Sequence, residues 1–388
     1  MNLGIIFGSR SAEHDVSIIT GLQVLENADR EKYNAFPIYI SREGAWFVGE
    51  PLRDIKTYRS FDPNMKGLTR VTLPPVPGLK GLYTLNSGGL FSKSSKVQDL
   101  ECAILALHGM HGEDGCVQGL LELADIPYSS SALAGSSVGM DKIMMKNVFR
   151  SMELPVLDSI FFYRSEWRKN PDNILAKAEE LGYPLYIKPA NLGSSIGIGR
   201  AENAQSLRRA RDVAAEFDRR ILVEKGLEKP VEVNCACMGF DGECTVSLCE
   251  QPVSWEDYLT FEDKYTRNAG KGMKSLSRRI PAPISDEMTR RIQTYTTEIF
   301  RTLECKGVVR IDYLIDTSEN KPYVCEINTI PGSMAYYLFE PLGISFRQLV
   351  DRLVEYANKA LAQKHLSTFA YDSQILNKAQ KSQKTLNK

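Results

Sequence analysis

Gly307–Gly332, GVVRIDYLIDTSENKPYVCEINTIPG, decides how the rest of the chain is read. Two runs, GVVRIDYLID and KPYVCEINT, alternate apolar with polar residues and are rich in β-branched side chains, so each is expected to be a strand. Thr317-Ser318-Glu319-Asn320 makes a polar turn between them, and the pair reads as a hairpin. Period-two alternation sends Arg310 and Asp312 to one face of the first strand, and Glu326 and Asn328 to one face of its partner. Where those faces coincide, a cation, two carboxylates and an amide converge. Hard oxygen ligands of this kind suit Mg²⁺, which takes one or two carboxylates and leaves its other positions to phosphate and water. The plainer reading is a surface hairpin with ordinary cross-strand charge pairs.

The whole chain sets the frame for that hairpin. At 388 residues there is room for two or three domains with a sizeable core. The 48 basic and 48 acidic residues cancel, which argues against bulk attraction to nucleic acid or an anionic membrane. MNLGIIFGSR reads as a short apolar strand and lacks the pattern of a secretory signal, and no run approaches the ~20 apolar residues of a bilayer span. The eight cysteines contain no CxxC and sit mostly in apolar runs, as small core residues of a reducing cytoplasm do. A soluble, cytoplasmic enzyme is the expectation.

From the N-terminus, Leu3–Phe7 is a buried-strand candidate followed by a glycine-containing turn and a helical pattern over 17–28. Strand, turn and helix in that order open a doubly wound sheet with the helix N-terminus facing a ligand. Glu13 lies in the turn, where a carboxylate is also simply favoured by the helix dipole. Asn34–Ile40 is a second strand, with a small hairpin over 39–49. Residues 51–96 scatter Pro, Gly, Ser and Lys and read as an insertion or long loop. Cys102–Leu107 is a strand running into HGMHGEDGCVQGLLELADIPY, which places His108, Glu113 and Asp114 where open sheets bind ligands. A lone histidine is more often structural than catalytic. A helical pattern over 130–154 carries Lys142 and Lys146, and helical lysines are ordinarily solvated. Strands over 156–163 and 184–190 flank a helix over 173–182. Lys188 then ends its strand at NLGSSIGIG, whose Gly193-Ser194-Ser195 offers backbone N–H groups and hydroxyls to phosphate oxygens without the Walker spacing. Further strands are expected over 221–224, 231–238 and 244–250, helices over 287–303 and 346–362, and a glycine-rich mobile loop over 258–277. Residues 365–388 are polar and are expected to be frayed.

In their order, SAEHDVS, LHGMHGEDGCVQGLLE, MDKIMMK, YIKPANLGSSIGIG, FEDKYT, VVRIDYLID and EINTIPG resemble the D-alanine–D-alanine ligases of the ATP-grasp superfamily, over Gly4 to about Ala362. The resemblance implies a mixed α/β fold with a Rossmann-like unit over 1–131, a small central unit over 132–222, a C-terminal unit over 223–365, and a tail over 366–388. The second and third units would close on ATP between antiparallel sheets. It also implies roles. Lys142 and Lys188 would contact the ATP phosphates, and Gly193–Ser195, with Ser194 and Ser195, would cover the γ-phosphate. Glu224 and Leu227 would line the adenine pocket and Glu232 the ribose. Asp312, Glu326 and Asn328 would hold two Mg²⁺ ions, or Mn²⁺. Glu13 would bind the first D-alanine's ammonium with His108 nearby, Arg310 and the Gly332 N–H would form an oxyanion hole, and Lys264 and Tyr265 would sit in a closing lid.

One segment departs from the family. The usual continuation of NTxPG carries a serine that helps bind the second substrate's carboxylate, whereas SMAYYLFEP places Tyr336-Tyr337 there, with Ser333 or Tyr337 as the remaining candidates. D-alanine as acceptor therefore stands beside D-serine, D-lactate or another amino acid; Tyr265, where depsipeptide-forming relatives carry phenylalanine, points to an amine. A protein that binds ATP without turnover is the reading from another class, and the filled positions Lys142, Lys188, Lys264, Arg310, Asp312, Glu326 and Asn328 argue against it. Small-molecule substrates are expected as partners, with neither nucleic acid nor membrane, and a homodimer through the first unit is left open.

Overall fold

The hairpin's two faces bury different things, and that difference sets the architecture. In the computed structural model, which describes residues 1–85, 94–252, 278–371, 373 and 375, its first strand turns Val309, Ile311, Tyr313 and Ile315 into an apolar core with Ile292, Ile299 and Phe300 of a covering helix. Truncating one such buried aliphatic side chain to alanine costs about 2–5 kcal/mol. The opposite face carries Arg310, Asp312 and Leu314 toward a cleft.

Three sheets follow in chain order. The first contains β1 (Asn2–Gly8), β2 (Asn34–Ile40), β3 (Trp46–Val48), β4 (Thr69–Thr72), β5 (Gly81–Thr84), β6 (Lys96–Asp99) and β7 (Cys102–Leu105), ordered β6-β5-β4-β3-β2-β1-β7. β1 pairs in parallel with β2 and β7, and α1 (His14–Asn27) crosses over between β1 and β2. The expected loop over 51–96 is corrected here. Short 3₁₀ turns and β4, β5 and β6 extend the sheet in antiparallel fashion. Strands of four residues at a sheet edge carry too little periodicity to be read from sequence alone.

After α2 (Cys116–Ala124), the expected continuous helix over 130–154 is two helices, α3 (Leu133–Met140) and α4 (Lys142–Ser151). Asp141 separates them because its extended backbone and carboxylate cap α4, accepting from the N–H groups of Ile143 and Met144. The second sheet, ordered β10-β9-β11-β8, comprises β8 (Ser159–Tyr163), β9 (Leu185–Pro189), β10 (Gly199–Ala201) and β11 (Arg220–Lys225), all antiparallel, covered by α5 (Arg164–Lys169), α6 (Pro171–Leu181) and α7 (Ala204–Phe217).

The third sheet contains β12 (Val231–Phe240), β13 (Glu243–Pro252), β14 (Arg278–Arg279), β15 (Gly307–Asp316) and β16 (Lys321–Asn328), ordered β14-β13-β12-β15-β16. β15 and β16 are the expected hairpin, with Thr317–Asn320 as its turn. α8 (Asp286–Thr302) covers this sheet, and α9 (Phe346–His365) closes the chain against the first sheet. α9 reaches three residues beyond its expected end: Lys364 pairs with Glu122 and Asp125, and His365 with Asp125, so His365 belongs to the helix and not to a tail. No helix among the described residues is long and apolar enough to cross a membrane.

Candidate active site

The register of the hairpin brings its charged residues together. Arg310 pairs with Asn328 and Asp312 with Glu326 directly across the two strands. Alternation alone would not do this, because Val324 packs in the core while Glu326, two residues on, faces the cleft. A β-bulge between the Asp312 and Tyr313 pairs inserts one residue, so Cys325 and Glu326 both line the cleft. Arg310 grips Asp312 through two N–H···O bonds of 2.7 and 2.9 Å. Asn328 donates its amide to Asp312 at 3.1 Å, turning its carbonyl oxygen away from that carboxylate. The Asp312 carboxylate and its hydrogen bond hold the Arg310 guanidinium firmly charged against the cost of burial.

The cleft runs between the second and third sheets, an open space of about 730 Å³. Lys142, Lys146 and Lys188 line one side and Glu232, Asp312, Leu314 and Glu326 the other, with Leu192, Ser195, Ile198 and Leu222 as further walls. Lys142 caps the hairpin's carboxylates at 2.8 Å from Glu326. Lys146, expected on a solvated helix face, is instead almost fully buried and pairs with Glu224 at the end of β11. Lys188 holds the other Glu224 oxygen at 2.7 Å. Burial alone would raise the Glu224 pKa, but the two ammonium groups hold it down at about 2. Glu224 therefore positions two lysines, in addition to any contact with a base. Leu227, half-buried past β11, is not among the cleft-lining residues.

The second cluster lies where α1, the loop after β7 and the segment after β16 meet. Glu13 precedes α1 and is 5% exposed; Ser194 reaches across from the glycine-serine loop to bond it. Gly193 permits that approach, since a Cβ there would lie 2.6 Å from the Glu13 carboxylate. Glu113 is buried beside Glu13 and accepts from the backbone N–H groups of Gly109 and Ile330, both at 2.9 Å. Burial, reinforced by the Glu13 charge, pushes its carboxyl up to about 8. His108 donates from Nδ1 to the Ile330 carbonyl at 2.9 Å, so its neutral ring accepts at Nε2 from Thr20 Oγ1 at 2.8 Å. Burial lowers its pKa to about 4. Thr20 Oγ1 in turn accepts from the Ser333 N–H at 3.2 Å. Both ring nitrogens of His108 thus serve to fix neighbouring segments. Thr20, Lys146 and Glu113 join this architecture, and only Glu113 had a sequence signal, through its place after a strand.

Ser333, Met334 and Ala335 all adopt left-handed backbone, with φ of 52°, 53° and 48°. Left-handed conformation costs an L-residue roughly 1–2 kcal/mol, and such strain persists only where the surroundings over-determine it. Here it starts a tight turn that buries Tyr336 and Tyr337 beside the third sheet. Tyr336 stacks on Phe346, and Tyr337 lies against the Arg278 guanidinium. Gly332 opens this turn, buried, and Ser333 is 2% exposed. Lys264 and Tyr265 lie outside the described residues.

The carboxylates of Asp312 and Glu326 fit a hard divalent cation shared with phosphates, and Asn328 would join them once its amide turned to present its oxygen. No group of three or more His, Cys, Asp or Glu among the described residues could hold a metal on protein ligands alone.

Two family models match the chain. Residues 2–131 match the family model "D-ala D-ala ligase N-terminus" and residues 148–355 "D-ala D-ala ligase C-terminus". A D-alanine–D-alanine ligase of Thermosipho melanesiensis is 38% identical over 354 residues, covering 91% of this chain and 92% of that protein. One from Deinococcus radiodurans is 35% identical over 363 residues, covering 91% and 97%. Among solved structures, the VanG D-Ala:D-Ser ligase of Enterococcus faecalis superposes with a TM-score of 0.76 at 29% identity, covering 92% of this chain and 99% of that one. The Coxiella burnetii D-alanine–D-alanine ligase shares the fold at a TM-score of 0.77 and 23% identity, covering 94% and 96%.

Proposed function

The chain belongs to the D-alanine–D-alanine ligase family, and from that premise we propose that it joins two D-alanines, at the expense of ATP, into the dipeptide used as a peptidoglycan precursor. The observation that carries the reading is the adjacency of two oppositely prepared regions: a lysine-lined cleft meeting a carboxylate hairpin, and a buried carboxylate pair at Glu13 and Glu113. The first suits a polyphosphate, the second an ammonium group.

In this reading Lys142 and Lys188 neutralise the nucleotide's phosphates, and Ser195 with its loop shields the transferred phosphoryl. Lys146 holds Glu224, which keeps Lys188 in place. Glu232 faces the ribose, Leu227 would border the adenine only from beyond the cleft wall, and Lys264 and Tyr265 belong to the closing segment. Asp312, Glu326 and Asn328 would hold Mg²⁺, which supplies charge neutralisation to the phosphates. Glu13, steadied by Ser194, receives the donor's ammonium and leaves its carboxylate facing the γ-phosphate. Transfer gives an acyl phosphate and ADP; the acceptor amine then attacks the acyl carbon, and phosphate and a proton depart. Arg310 and the Gly332 N–H stabilise the oxyanion, a contribution typically worth 10²–10³ in rate per donor. His108, through Thr20 and Ser333, aligns the segment bearing Gly332. The units 1–131, 132–222 and 223–365 are the domains of this scheme, with the nucleotide between the last two. The enzyme would work in the cytoplasm, where ATP is available, as a monomer or homodimer.

The test is ADP release by the purified protein with Mg-ATP and D-alanine, with products identified by mass spectrometry and D-serine, D-lactate and L-alanine alongside. D-alanyl-D-alanine is expected. Product only in mixtures would rename the acceptor, and no product with any pair would overturn the reading.

A further inference from the structure

Lys142 sits at a junction, and part of what fixes it there lies outside the cleft. Its side chain reaches Glu326 of the third sheet, while its backbone is tied to the second. The Lys142 N–H donates to the Ala190 carbonyl at 2.9 Å, and the Ala190 N–H donates to the Arg220 carbonyl at 3.1 Å. Arg220 Nη2 then donates to Asp141 Oδ2, while Asp141 Oδ1 accepts from the Ile143 and Met144 N–H groups, both at 3.1 Å. These contacts close a ring that runs from α4 to the end of β9, across to β11 and back. Beside it, Ile143 packs with Ala190 and Leu222. The same ring roots the glycine-serine loop, because Asp218 accepts from the Arg220 N–H at 3.0 Å and from the Asn191 backbone and amide groups at 2.9 and 3.0 Å.

Arg220 opens β11, one alternation before Leu222, which lines the cleft; Arg220 itself does not. Asp141 is the carboxylate its guanidinium meets among the described residues. A capping aspartate satisfies the N–H groups of its own helix wherever that helix lies, so the cap alone does not place α4 in the fold. The bond from Arg220 is what ties the cap to the second sheet, and a charge-assisted contact of this kind is short and directional. Lys142 is the residue next to the cap, so a shift of Asp141 is passed directly to its backbone. A lysine ammonium rides on a flexible four-carbon stem, and a fixed backbone limits the positions that stem can sample.

Resting on the ligase reading above, in which Lys142 meets the nucleotide's phosphates, we propose that Arg220 is a positioning residue for nucleotide binding: paired with Asp141, it locks the first turn of α4 onto the second sheet and holds Lys142 within reach of phosphate. Arg220 touches no substrate, and its whole effect on the nucleotide passes through Lys142. The phosphates feel its loss and the nucleoside does not.

The experiment titrates the full-length protein with Mg-ADP and, separately, with adenosine, which carries no phosphate. Arg220→Met is expected to weaken Mg-ADP about tenfold, the value of one charged hydrogen-bonded contact, with adenosine affinity held within about twofold. Arg220→Lys recovers part of the loss. Asp141→Asn, which keeps a capping oxygen and removes the charge, reproduces it. In a Lys142→Ala background Arg220→Met causes no further loss, because both changes remove the same contact. Unchanged Mg-ADP affinity in Arg220→Met and Asp141→Asn overturns the proposal. So does an equal loss of adenosine and Mg-ADP, which would make the pair a general brace, and so do losses that add in the Lys142→Ala background. A wild-type protein that binds neither Mg-ADP nor adenosine overturns the nucleotide reading itself.

Discussion

The two halves of the site handle charge in opposite ways. In the cleft, every described cation has a carboxylate in hand: Lys142 has Glu326, Lys146 and Lys188 share Glu224, and Arg310 holds Asp312. At the Glu13 end, two carboxyl groups are buried side by side; Glu113 accepts from backbone N–H groups and Glu13 from the Ser194 hydroxyl. The cleft is compensated before any ligand arrives and needs a ligand carrying its own counter-ions. The other end sets two buried carboxyl groups against each other, and an arriving ammonium would relieve that repulsion. A site that must bind a nucleotide and an amino acid without confusing them gains its discrimination from that asymmetry.

The comparison breaks most easily at the hairpin. Glu326→Ala removes a cleft carboxylate and the partner of Lys142, and turnover is expected to fall by about three orders of magnitude, as removal of a metal-holding or charge-stabilising group does. Near-normal steady-state rates would remove the hairpin from the nucleotide half. Glu224→Ala tests whether compensation is structural. Leaving Lys146 and Lys188 buried without their shared anion should cost about 3–5 kcal/mol, read as a drop in the denaturation midpoint. An unchanged midpoint would mean that the lysines are not held by charge. Thr20→Val sharpens the other half: removing the hydroxyl between His108 and Ser333 should reduce kcat/KM for D-alanine about tenfold, with KM for ATP unaltered. Equal effects on both substrates would show that the two halves are not separable.

The smallest effect is in pH dependence. The folded-state pKa of Glu113, about 8, lies above its ordinary value of 4.5. Its contribution to stability is therefore fully present below pH 4.5 and is lost as pH rises through 8. Glu224, depressed to about 2, works in the opposite sense, stabilising above pH 4.5 and losing that contribution as pH falls through 2. Glu113→Gln should flatten the decline between pH 5 and 8 in thermal denaturation; an unaltered slope would place the decline elsewhere.

The cleft's scaffold was largely legible in sequence, and its compensation was not. Alternation and a polar turn identify the hairpin because strand period and turn chemistry are local, and the cross-strand pairs Arg310–Asn328 and Asp312–Glu326 follow once register is known. The bulge at Cys325 that lets Val324 and Glu326 face opposite ways has no such signal. Lys146 reads as a solvated helical lysine because its burial depends on β11, nearly eighty residues away. The helix Ala204–Phe217 is absent from the sequence reading, although Asn203 and the spacing of Leu207, Ala210 and Ala214 carry its signal. The break at Asp141 was also written locally, in an aspartate one residue before a helix. The strands over 51–96 were not, since short edge strands take their conformation from the neighbours they pair with.

The asymmetry itself can be measured as protons. Burial and the Glu13 charge push the Glu113 carboxyl up to about 8, and an ammonium arriving at Glu13 would draw it down, so binding should release a proton. Calorimetric titration of D-alanine into the enzyme with a non-hydrolysable ATP analogue, repeated in buffers of different ionisation enthalpy, reads that number directly. A substantial fraction of one proton released at pH 7, and none in Glu113→Gln, is the predicted result. No proton release by the wild type, with D-alanine demonstrably bound, would contradict the picture of a carboxyl pair whose repulsion an ammonium relieves.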